Sequence, residues 1–290
     1  MIVDKRNAII MAAGTASRFV PLSAEIPKGL LEVKGEILIE RQIRQLQEAG
    51  INDITIVVGY KAEMFQYLTD KFGVSLVFNE DFNRYNNTSS VIRVLDKLGD
   101  TYICSSDNYF PENVFLENPQ ESYYSALYVK GDTKEYCLQT DDKDNITSVS
   151  IGGADSWYMI GHVYFSKPFS DSFKTILAKE YEKPATRQGY WEDVYIKYLN
   201  QLPMMKIHRY SENDIYEFDS IDELREFDSS YITDTRSSIL RRIAKQLGCS
   251  EFNLSHFEKV SNAEGLVFSF EKGGEKYRYS GTDQSIAKQL

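Results

Sequence analysis

The chain has 290 residues, a formal net charge of −10, and 42% hydrophobic and 13% aromatic residues. This length and apolar content fit one large domain, or one domain with a small appendage, and exclude wholesale disorder. The negative net charge makes nucleic acid an unexpected partner, because binding to a phosphate backbone needs a basic protein surface. No apolar run reaches membrane-spanning length and the first residues lack a signal-peptide layout, so no membrane contact is expected. The three cysteines show no CxxC spacing, which favours a cytoplasmic location.

Strand and helix patterns alternate through the first 110 residues. Short apolar runs predict buried strands, and apolar residues at helical spacing predict the helices between them. The predicted strands are AIIM (8–11), DITIVVGY (53–60), VSLVFN (74–79) and TYICSSDNYF (101–110), and the predicted helices are ILIERQIRQLQEAG (37–50), AEMFQYLTDKFG (62–73) and SSVIRVLDKLG (89–99). This βαβαβαβ order predicts an α/β fold with a Rossmann-like, doubly wound sheet.

The pattern changes after residue 120. The runs SALYVK, EYCLQTD, NITSVSIG and MIGHVYF predict four strands with tight turns, which makes the sheet mixed. Two helices at about 170–182 and 190–201 and a strand at KIHRY follow. A weak boundary then separates a domain at 1–229 from an appendage at 230–290, for which the sequence predicts a helix and a β-hairpin that turns at Gly273 and Gly274.

The stretch MAAGTASRFVPLSAEIPKG (11–29) follows the first predicted strand. In open α/β sheets, ligands bind beyond the carboxyl ends of the strands. Gly14 allows a ligand to approach the backbone closely, Arg18 can grip phosphate oxygens in a bidentate manner, and Lys28 supplies a point charge. The stretch is neither a Walker A motif nor a GxGxxG fingerprint. Taken alone, it is equally typical of an ordinary turn with two solvated cations.

Carboxylates follow two further strand patterns. Asp107 lies in SSDN at the end of a buried strand, and Glu217 and Asp219 lie two residues apart in YEFDS, on one face of a strand. A carboxylate at the end of a parallel strand is well placed to hold a divalent metal against a phosphate. The alternatives are that Asp107 caps a turn and that Asp219 is the N-cap of the helix IDELREF.

The stretch MAAGTASRFVPLSAEIPKGLLEV resembles the nucleotidyltransferase signature AAGxGxRxxPLTxxxPKxLxxV, and SSDN, YNNTSS and EFDS match in the expected order. Within that superfamily, which has a glycosyltransferase-A-like fold, residues 7–228 are most similar to the bacterial CTP:phosphocholine cytidylyltransferases. Ala16 stands where the signature has its second glycine. Because alanine tolerates positive φ less well, either the loop bends differently there or the backbone of this residue is ordinary.

The resemblance implies Mg²⁺-dependent transfer of CMP from CTP to phosphocholine, with CDP-choline and pyrophosphate as products. Arg18, Lys28 and Asp107 would be catalytic, and Asp107, Glu217 and Asp219 would bind Mg²⁺. The acceptor phosphate has a second pKa of about 6, so no general base is required and the three histidines are interpreted as structural. The implied nucleotide-binding residues are Ala12, Ala13, Gly14, Ser17, Arg18, Lys28, Asn87, Ser89 and Asp107.

Choline is a quaternary ammonium ion, which aromatic faces and a carboxylate recognise. The residues that would line its site are Tyr136, Tyr190, Trp191, Glu192 and Asp193. Which of the two carboxylates meets the cation stays open. The alternative is a helix start with core aromatic residues. The segment YNNTSS (85–90) would lie near the nucleotide or the acceptor, or would be the N-cap of the helix that follows it.

Two other functions remain. The same reaction class could act on a sugar-1-phosphate or on 2-aminoethylphosphonate, or the chain could be a nucleotide-sensing module without catalysis. Residues 230–290 resemble the start of the N-terminal lobe of choline-kinase-like phosphotransferases, which implies a truncated kinase lobe and a fused or partner choline kinase. The alternative is that these residues form a stand-alone appendage. Whether the chain forms a homodimer is left open.

Overall fold

The computed structural model describes residues 6–115, 118–261 and 263–289. These residues form two compact units: the sheet unit, comprising residues 6–14 and 38–217, and the loop–tail unit, comprising residues 15–37 and 218–289. The compact units do not follow the boundary predicted after residue 229, because residues 15–37 bond to the C-terminal part of the chain, as described below. Among the described residues, no helix is long and apolar enough to cross a membrane.

The strands and helices are numbered in chain order. The strands are β1 Asn7–Ala12, β2 Glu32–Val33, β3 Glu36–Ile37, β4 Asp53–Val58, β5 Ser75–Phe78, β6 Thr101–Ser105, β7 Asn108–Tyr109, β8 Tyr123–Thr140, β9 Ile146–Phe165, β10 Lys206–Arg209, β11 Tyr216–Glu217, β12 Leu254–Lys259, β13 Val267–Lys272, β14 Glu275–Ser280 and β15 Ser285–Lys288. The helices are α1 Leu22–Glu25, α2 Leu38–Glu48, α3 Tyr67–Phe72, α4 Thr88–Ile92, α5 Lys167–Glu180, α6 Pro184–Gln188, α7 Trp191–Tyr198, α8 Ile221–Phe227, α9 Ser230–Thr233 and α10 Ser238–Gln246.

The sheet unit is built on a seven-stranded sheet in the order β10-β8-β9-β6-β1-β4-β5. Strand β1 pairs in parallel with β4 and β6, and β4 pairs in parallel with β5. Strand β9 runs antiparallel to β6, so the sheet is mixed. The continuous apolar runs of β1 and β4 are buried, as a sheet covered on both faces requires. The predicted Rossmann-like fold class is confirmed.

The prediction of four short strands after residue 120 is wrong. Two long strands, β8 and β9, pair along most of their length, with shifts of register between Val129 and Asp132 and between Thr133 and Tyr136. Gly131 and Gly152 lie on these strands at φ +79° and +78°. A glycine and its polar neighbours look like a turn in the sequence, but here they form bulges that bend a continuous strand.

Two predicted helices are shorter than expected. The segment 62–73 is a 3₁₀ turn at Ala62–Phe65 followed by α3, and the segment 89–99 is α4 followed by a 3₁₀ turn at Leu95–Lys97. β-Branched side chains lower the helical propensity of the second segment, where Val91, Ile92 and Val94 follow closely.

Helices α5 and α7 carry aromatic side chains into the core of the sheet unit. Phe169 and Phe173 of α5 are fully buried, and the rings of Phe165 and Phe169 lie 4.5 Å apart. Two of the three cysteines, Cys104 and Cys137, are also buried, and burial raises the pKa of the Cys104 thiol. The packing of the aromatic side chains on α5 and α7 fixes the start of α7, which carries residues predicted to bind the acceptor.

The loop–tail unit contains the four-stranded antiparallel sheet β12-β13-β14-β15 and the short hairpin of β2 and β3. Gly273 and Gly274 join β13 to β14 with φ +59° and +78°, as a tight hairpin turn with two left-handed residues requires. The predicted helix and hairpin of the appendage are therefore confirmed. The resemblance of this segment to a kinase lobe stays a prediction.

Candidate active site

The signature stretch begins at the carboxyl end of β1. Ala12 and Ala13 are buried, and the carbonyl oxygen of Ala13 accepts a hydrogen bond of 3.1 Å from the backbone N–H of Tyr60, which follows β4. Around Gly14, a built Cβ atom would meet no atom within 4 Å. The backbone at Gly14 is therefore open on that side, as the predicted approach of a nucleotide requires.

Arg18 and Lys28 converge on one carboxylate in the loop–tail unit. The Arg18 guanidinium donates to Asp219 Oδ2 at 2.8 Å, and Lys28 Nζ lies 3.6 Å from Asp219 Oδ1. The Arg18 side chain is 77% exposed and that of Lys28 is 10% exposed. Two cations thus lie beside one carboxylate, and cations of this kind suit a polyphosphate. The structure thus brings together three residues that are up to 201 positions apart in the sequence.

The alternative interpretation of Asp219 as a helix N-cap is wrong. The N-cap of α8 is Ser220, whose side chain accepts from the backbone N–H of Glu223 at 3.1 Å. The Glu223 carboxylate in turn accepts from the backbone N–H of Asp219 at 2.7 Å. These two bonds fix the start of α8 and the Asp219 backbone, and they leave the Asp219 side chain for the two cations.

The loop between Gly14 and Arg18 takes an unusual bend. Ala16 has φ +45°, the left-handed conformation that glycine adopts at little cost. Ala16 therefore adopts a conformation typical of glycine, and the alternative of an ordinary backbone is wrong. Ser17 is exposed beside it.

Asp107 and Glu217 belong to the sheet unit. Asp107 is half-buried in the turn between β6 and β7, and β7 pairs antiparallel with β11 so that Asn108 lies opposite Glu217. Asn108 Nδ2 lies 3.5 Å from Glu217 Oε2, while the buried Oδ1 atom of Asn108 has no hydrogen-bond partner. An orphaned buried oxygen beside a carboxylate indicates a place for a polar ligand or a water molecule.

No group of three or more His, Cys, Asp or Glu side chains within residues 6–115, 118–261 and 263–289 is arranged to hold a metal ion. Mg²⁺ usually needs one or two carboxylates, with the phosphates of the substrate and water as its other ligands. Asp107 and Glu217 of the sheet unit and Asp219 of the loop–tail unit each supply oxygen donors of the type that Mg²⁺ prefers.

Asn87 connects the segment YNNTSS to the start of α7. Its Oδ1 atom accepts from the backbone N–H of Trp191 at 2.9 Å, and its Nδ2 atom donates to Glu192 at 3.2 Å. Asn87 is the N-cap residue of α4, as the alternative predicted, but its side chain makes no cap bond to that helix. The Ser89 side chain is fully buried and donates to the carbonyl oxygen of Asn86 at 2.8 Å.

Tyr136, Tyr190 and Asp193 form a cluster at the start of α7. The two rings are 6.5 Å apart in an edge-to-face arrangement. The Tyr136 hydroxyl donates to Asp193 Oδ1 at 2.9 Å, and the backbone N–H of Tyr190 donates to Asp193 Oδ2 at 2.8 Å. Tyr190 remains 46% exposed, so the cluster presents an aromatic face beside a carboxylate.

Glu192 has a different set of partners. Its carboxylate accepts from the Tyr124 hydroxyl at 3.3 Å and from Asn87 at 3.2 Å. Burial raises the pKa of Glu192 to about 7, against the lowering effect of these hydrogen bonds. A buried carboxylate with such a pKa gains from a nearby cation. Tyr124, which sequence reasoning missed, lies on β8 without any local motif to mark it.

Trp191 lies in the core. Its side chain is 3% exposed, stacks against Tyr124 at 6.0 Å and meets the ring of Phe165 edge to face at 5.6 Å. Trp191 therefore fits the alternative of a core aromatic residue at a helix start. Tyr190 is exposed and does not fit that alternative. A role for Trp191 in acceptor binding stays a prediction.

The histidines are not arranged as bases. His162 is 1% exposed among aromatic rings, its Nε2 atom lies 3.0 Å from the Tyr123 hydroxyl, and burial followed by the charge of His208 lowers its pKa to about 3. His162 is therefore neutral at physiological pH. This agrees with a reaction that depends on charge neutralisation and positioning.

The mixed sheet, with the signature stretch as the loop after β1, is the architecture of a nucleotidyltransferase. Residues 8–115 match the family described as MobA-like NTP transferase domain. The chain is also similar to the solved structure of the CTP:phosphocholine cytidylyltransferase from Streptococcus pneumoniae, with a TM-score of 0.74 and 32% identity over 78% of this chain and 98% of that one.

Two relatives indicate which nucleotidyltransferases the chain is most like. The 2-aminoethylphosphonate cytidylyltransferase of Lancefieldella rimae is 36% identical over 81% of this chain and 96% of its own length. The choline-phosphate cytidylyltransferase of Streptococcus pneumoniae is 33% identical over 77% of this chain and 96% of its own length. The chain therefore belongs to the nucleotidyltransferase family and, within it, to the cytidylyltransferases.

Proposed function

We propose that the protein transfers CMP from CTP to phosphocholine, with Mg²⁺ as cofactor. A phosphate oxygen of the acceptor attacks the α-phosphorus of CTP, the bond from that phosphorus to the bridging oxygen breaks, and pyrophosphate leaves with the electron pair. The observation that carries the choice of acceptor is the exposed Tyr190 ring, held next to Tyr136 and Asp193.

Arg18 and Lys28 would bind the triphosphate. The pair is already held by Asp219 at 2.8 and 3.6 Å, so the two cations are positioned before substrate arrives. Asp107, Asp219 and Glu217 would hold Mg²⁺, which when bound neutralises charge on the triphosphate. Because the acceptor is mostly a dianion at pH 7, the side chains have to orient phosphates rather than remove a proton.

The trimethylammonium group of phosphocholine cannot donate hydrogen bonds through N–H groups, so its binding depends on aromatic faces and on negative charge. Tyr190 and Tyr136 would supply the faces. Asp193 accepts short hydrogen bonds of 2.9 and 2.8 Å that hold these two tyrosines. Glu192 accepts longer ones of 3.3 and 3.2 Å, and burial raises its pKa to about 7. We therefore assign the cation to Glu192 and the orientation of the rings to Asp193.

The second candidate acceptor is 2-aminoethylphosphonate, the substrate named for the relative from Lancefieldella rimae. A primary ammonium group donates three hydrogen bonds and depends more on carboxylate and amide oxygens than on rings. The pairing of Glu192 with Asn87 and Tyr124 supports this candidate, because all three side chains carry oxygen acceptors.

The first experiment measures pyrophosphate release from CTP and Mg²⁺ with phosphocholine, 2-aminoethylphosphonate or glucose-1-phosphate in parallel. We expect release with phosphocholine, and its loss in Asp107→Ala. Release with 2-aminoethylphosphonate alone would overturn the choice of acceptor and keep the reaction class. No release with any of the three would contradict the proposed reaction.

Replacement of the exposed ring separates the two acceptors further. Tyr190→Leu should raise KM for phosphocholine by about tenfold, since a cation–π contact contributes about 0.5–2 kcal/mol, and should change KM for 2-aminoethylphosphonate by less than about threefold. Phe252→Leu is the matched control, because Phe252 is a similarly exposed aromatic residue at 57%. Equal losses for both acceptors would contradict an aromatic cation site.

A further inference from the structure

Glu25 ties the signature stretch to the C-terminal segment of the loop–tail unit. Its carboxylate accepts from the backbone N–H of Ser238 at 2.8 Å and from the hydroxyls of Ser237 and Ser238. Ser237 is the N-cap of α10, and its hydroxyl also accepts from the backbone N–H of Leu240 at 3.0 Å. The carboxylate thus lies at the N-terminus of a nine-residue helix, where the helix dipole favours negative charge.

Three further contacts join the same two segments. The backbone N–H of Lys34 donates to Asp228 at 2.7 Å, and the buried Tyr231 hydroxyl donates to the carbonyl oxygen of Glu32 at 2.7 Å. Arg236 pairs with the Glu32 carboxylate at 3.2 Å. With Glu25, these contacts hold the stretch 25–34 on both sides of Lys28, so the C-terminal segment fixes the backbone that carries this lysine.

The matched relatives do not contain all of this chain. The two cytidylyltransferases and the solved structure named above are covered over 96–98% of their own lengths, yet they match only 77–81% of this chain. The resemblance found in the sequence ends near residue 228, and residues 230–290 make up about a fifth of the chain. Ser237, Ser238 and α10 lie beyond residue 228.

We propose that the C-terminal segment at residues 230–253 positions the CTP-binding loop, and that Glu25 is the positioning residue through which it acts. The proposal rests on the proposed role of Arg18 and Lys28 in binding the triphosphate. Glu25 lies three positions before Lys28, at the end of α1, and its bonds to α10 restrain the loop before CTP arrives. CTP binding therefore depends on residues that contact no substrate.

Equilibrium binding of CTP in the presence of Mg²⁺, measured by calorimetry on the full chain, tests this proposal independently of the acceptor. Glu25→Ala should raise the dissociation constant about tenfold, and the pair Ser237→Ala with Ser238→Ala should raise it by a smaller factor. Ser237→Ala also removes the N-cap bond of α10, so the shared contact is tested with Glu25→Ala and Ser238→Ala together, which should be no worse than Glu25→Ala alone. KM for the acceptor should stay within about twofold of the wild type.

Glu275→Ala is the matched control, since Glu275 is a carboxylate of the loop–tail unit outside residues 230–253 and pairs with Lys288 of β15. It should leave CTP binding unchanged. Glu25→Gln keeps the shape of the side chain and replaces Glu25→Ala if that variant does not fold. Unchanged CTP affinity in the Glu25 variants, or equal changes in CTP affinity and acceptor KM, would overturn the positioning role. Failure of the wild type to bind CTP would instead contradict the proposed function.

Discussion

Glu192 and Asp193 are neighbours in the sequence but have different surroundings. Asp193 is held by Tyr136 and by the backbone of Tyr190, so it stabilises the start of α7. Glu192 points to Tyr124 and Asn87, and burial raises its pKa to about 7. The sequence showed two adjacent carboxylates suited to a first helical turn and could not separate their roles, because the separation depends on partners about 57 to 105 positions away.

The raised pKa of Glu192 predicts a pH-dependent stability. An acid whose pKa is higher in the folded state binds more protons when folded, so the free energy of unfolding falls as pH rises from about 4.5 to about 7. In Glu192→Gln this fall should be smaller. Thermal unfolding between pH 5 and pH 8 measures it: the melting temperature of the wild type should drop relative to that of the variant as pH rises. Parallel curves would contradict the assignment.

Other residues of the site differ in how far the sequence specifies them. Arg18, Lys28 and Asp219 could be predicted from the signature, and the structure places them together. The left-handed φ of Ala16 could not be predicted, because alanine only rarely adopts it and the neighbouring contacts decide the outcome. Tyr124 could not be found either, since a tyrosine on a long strand carries no local signal.

At the scale of elements, the ends of β1 and β4 meet where the signature stretch begins. Gly59 follows β4, and a Cβ atom built there would lie 2.5 Å from Phe82 Cβ and 2.9 Å from the carbonyl oxygen of Ala13. The same carbonyl oxygen accepts from Tyr60. A glycine is therefore required at this position for the close approach of two strand ends.

Gly59→Ala should lower the free energy of unfolding by about 1–3 kcal/mol, because the added methyl group forces the backbone of the signature stretch to move. It should also weaken CTP binding. Gly99→Ala is the control, since a Cβ atom there meets nothing within 4 Å. Chemical denaturation measures the free energy of unfolding of both variants. Equal values would contradict the prediction, because they would show that the strand ends can separate without loss of stability.

The parallel strands could be predicted because a buried strand between two helices needs a short apolar run. The bulged ribbon of β8 and β9 could not, because a glycine that bends a strand has the same local composition as one that ends it. The same limit applies to residues 15–37, whose packing with the C-terminal segment depends on contacts of Glu25 and Lys34 with residues about 200 positions away.

At the scale of the whole molecule, the chain performs its proposed reaction with three histidines and a net charge of −10. His162, in the sheet unit, is neutral because burial lowers its pKa to about 3. Arg18 and Lys28 place two positive charges together in a chain whose net charge is negative. Under the proposed function, catalysis would depend on where charges are held rather than on proton transfer.

This arrangement predicts the pH dependence of kcat. With CTP, Mg²⁺ and phosphocholine at saturation, kcat should rise with pH until the acceptor phosphate is a dianion, at about pH 6–7, and then stay level to about pH 8.5. Steady-state rates across this range provide the measurement, with denaturation at each pH as the control. A further rise above about pH 7.5, where the acceptor is already a dianion, would indicate a protein base and contradict the prediction.

The distribution of the thiols has a practical consequence. Cys104 and Cys137 are buried, and burial raises the pKa of Cys104, so these thiols resist alkylation in the folded state. Cys249 is partly exposed, three residues after the end of α10. A maleimide dye would therefore attach selectively at Cys249 without prior mutagenesis. Such a fluorophore would sit next to the helix that Glu25 contacts and could report CTP binding in real time.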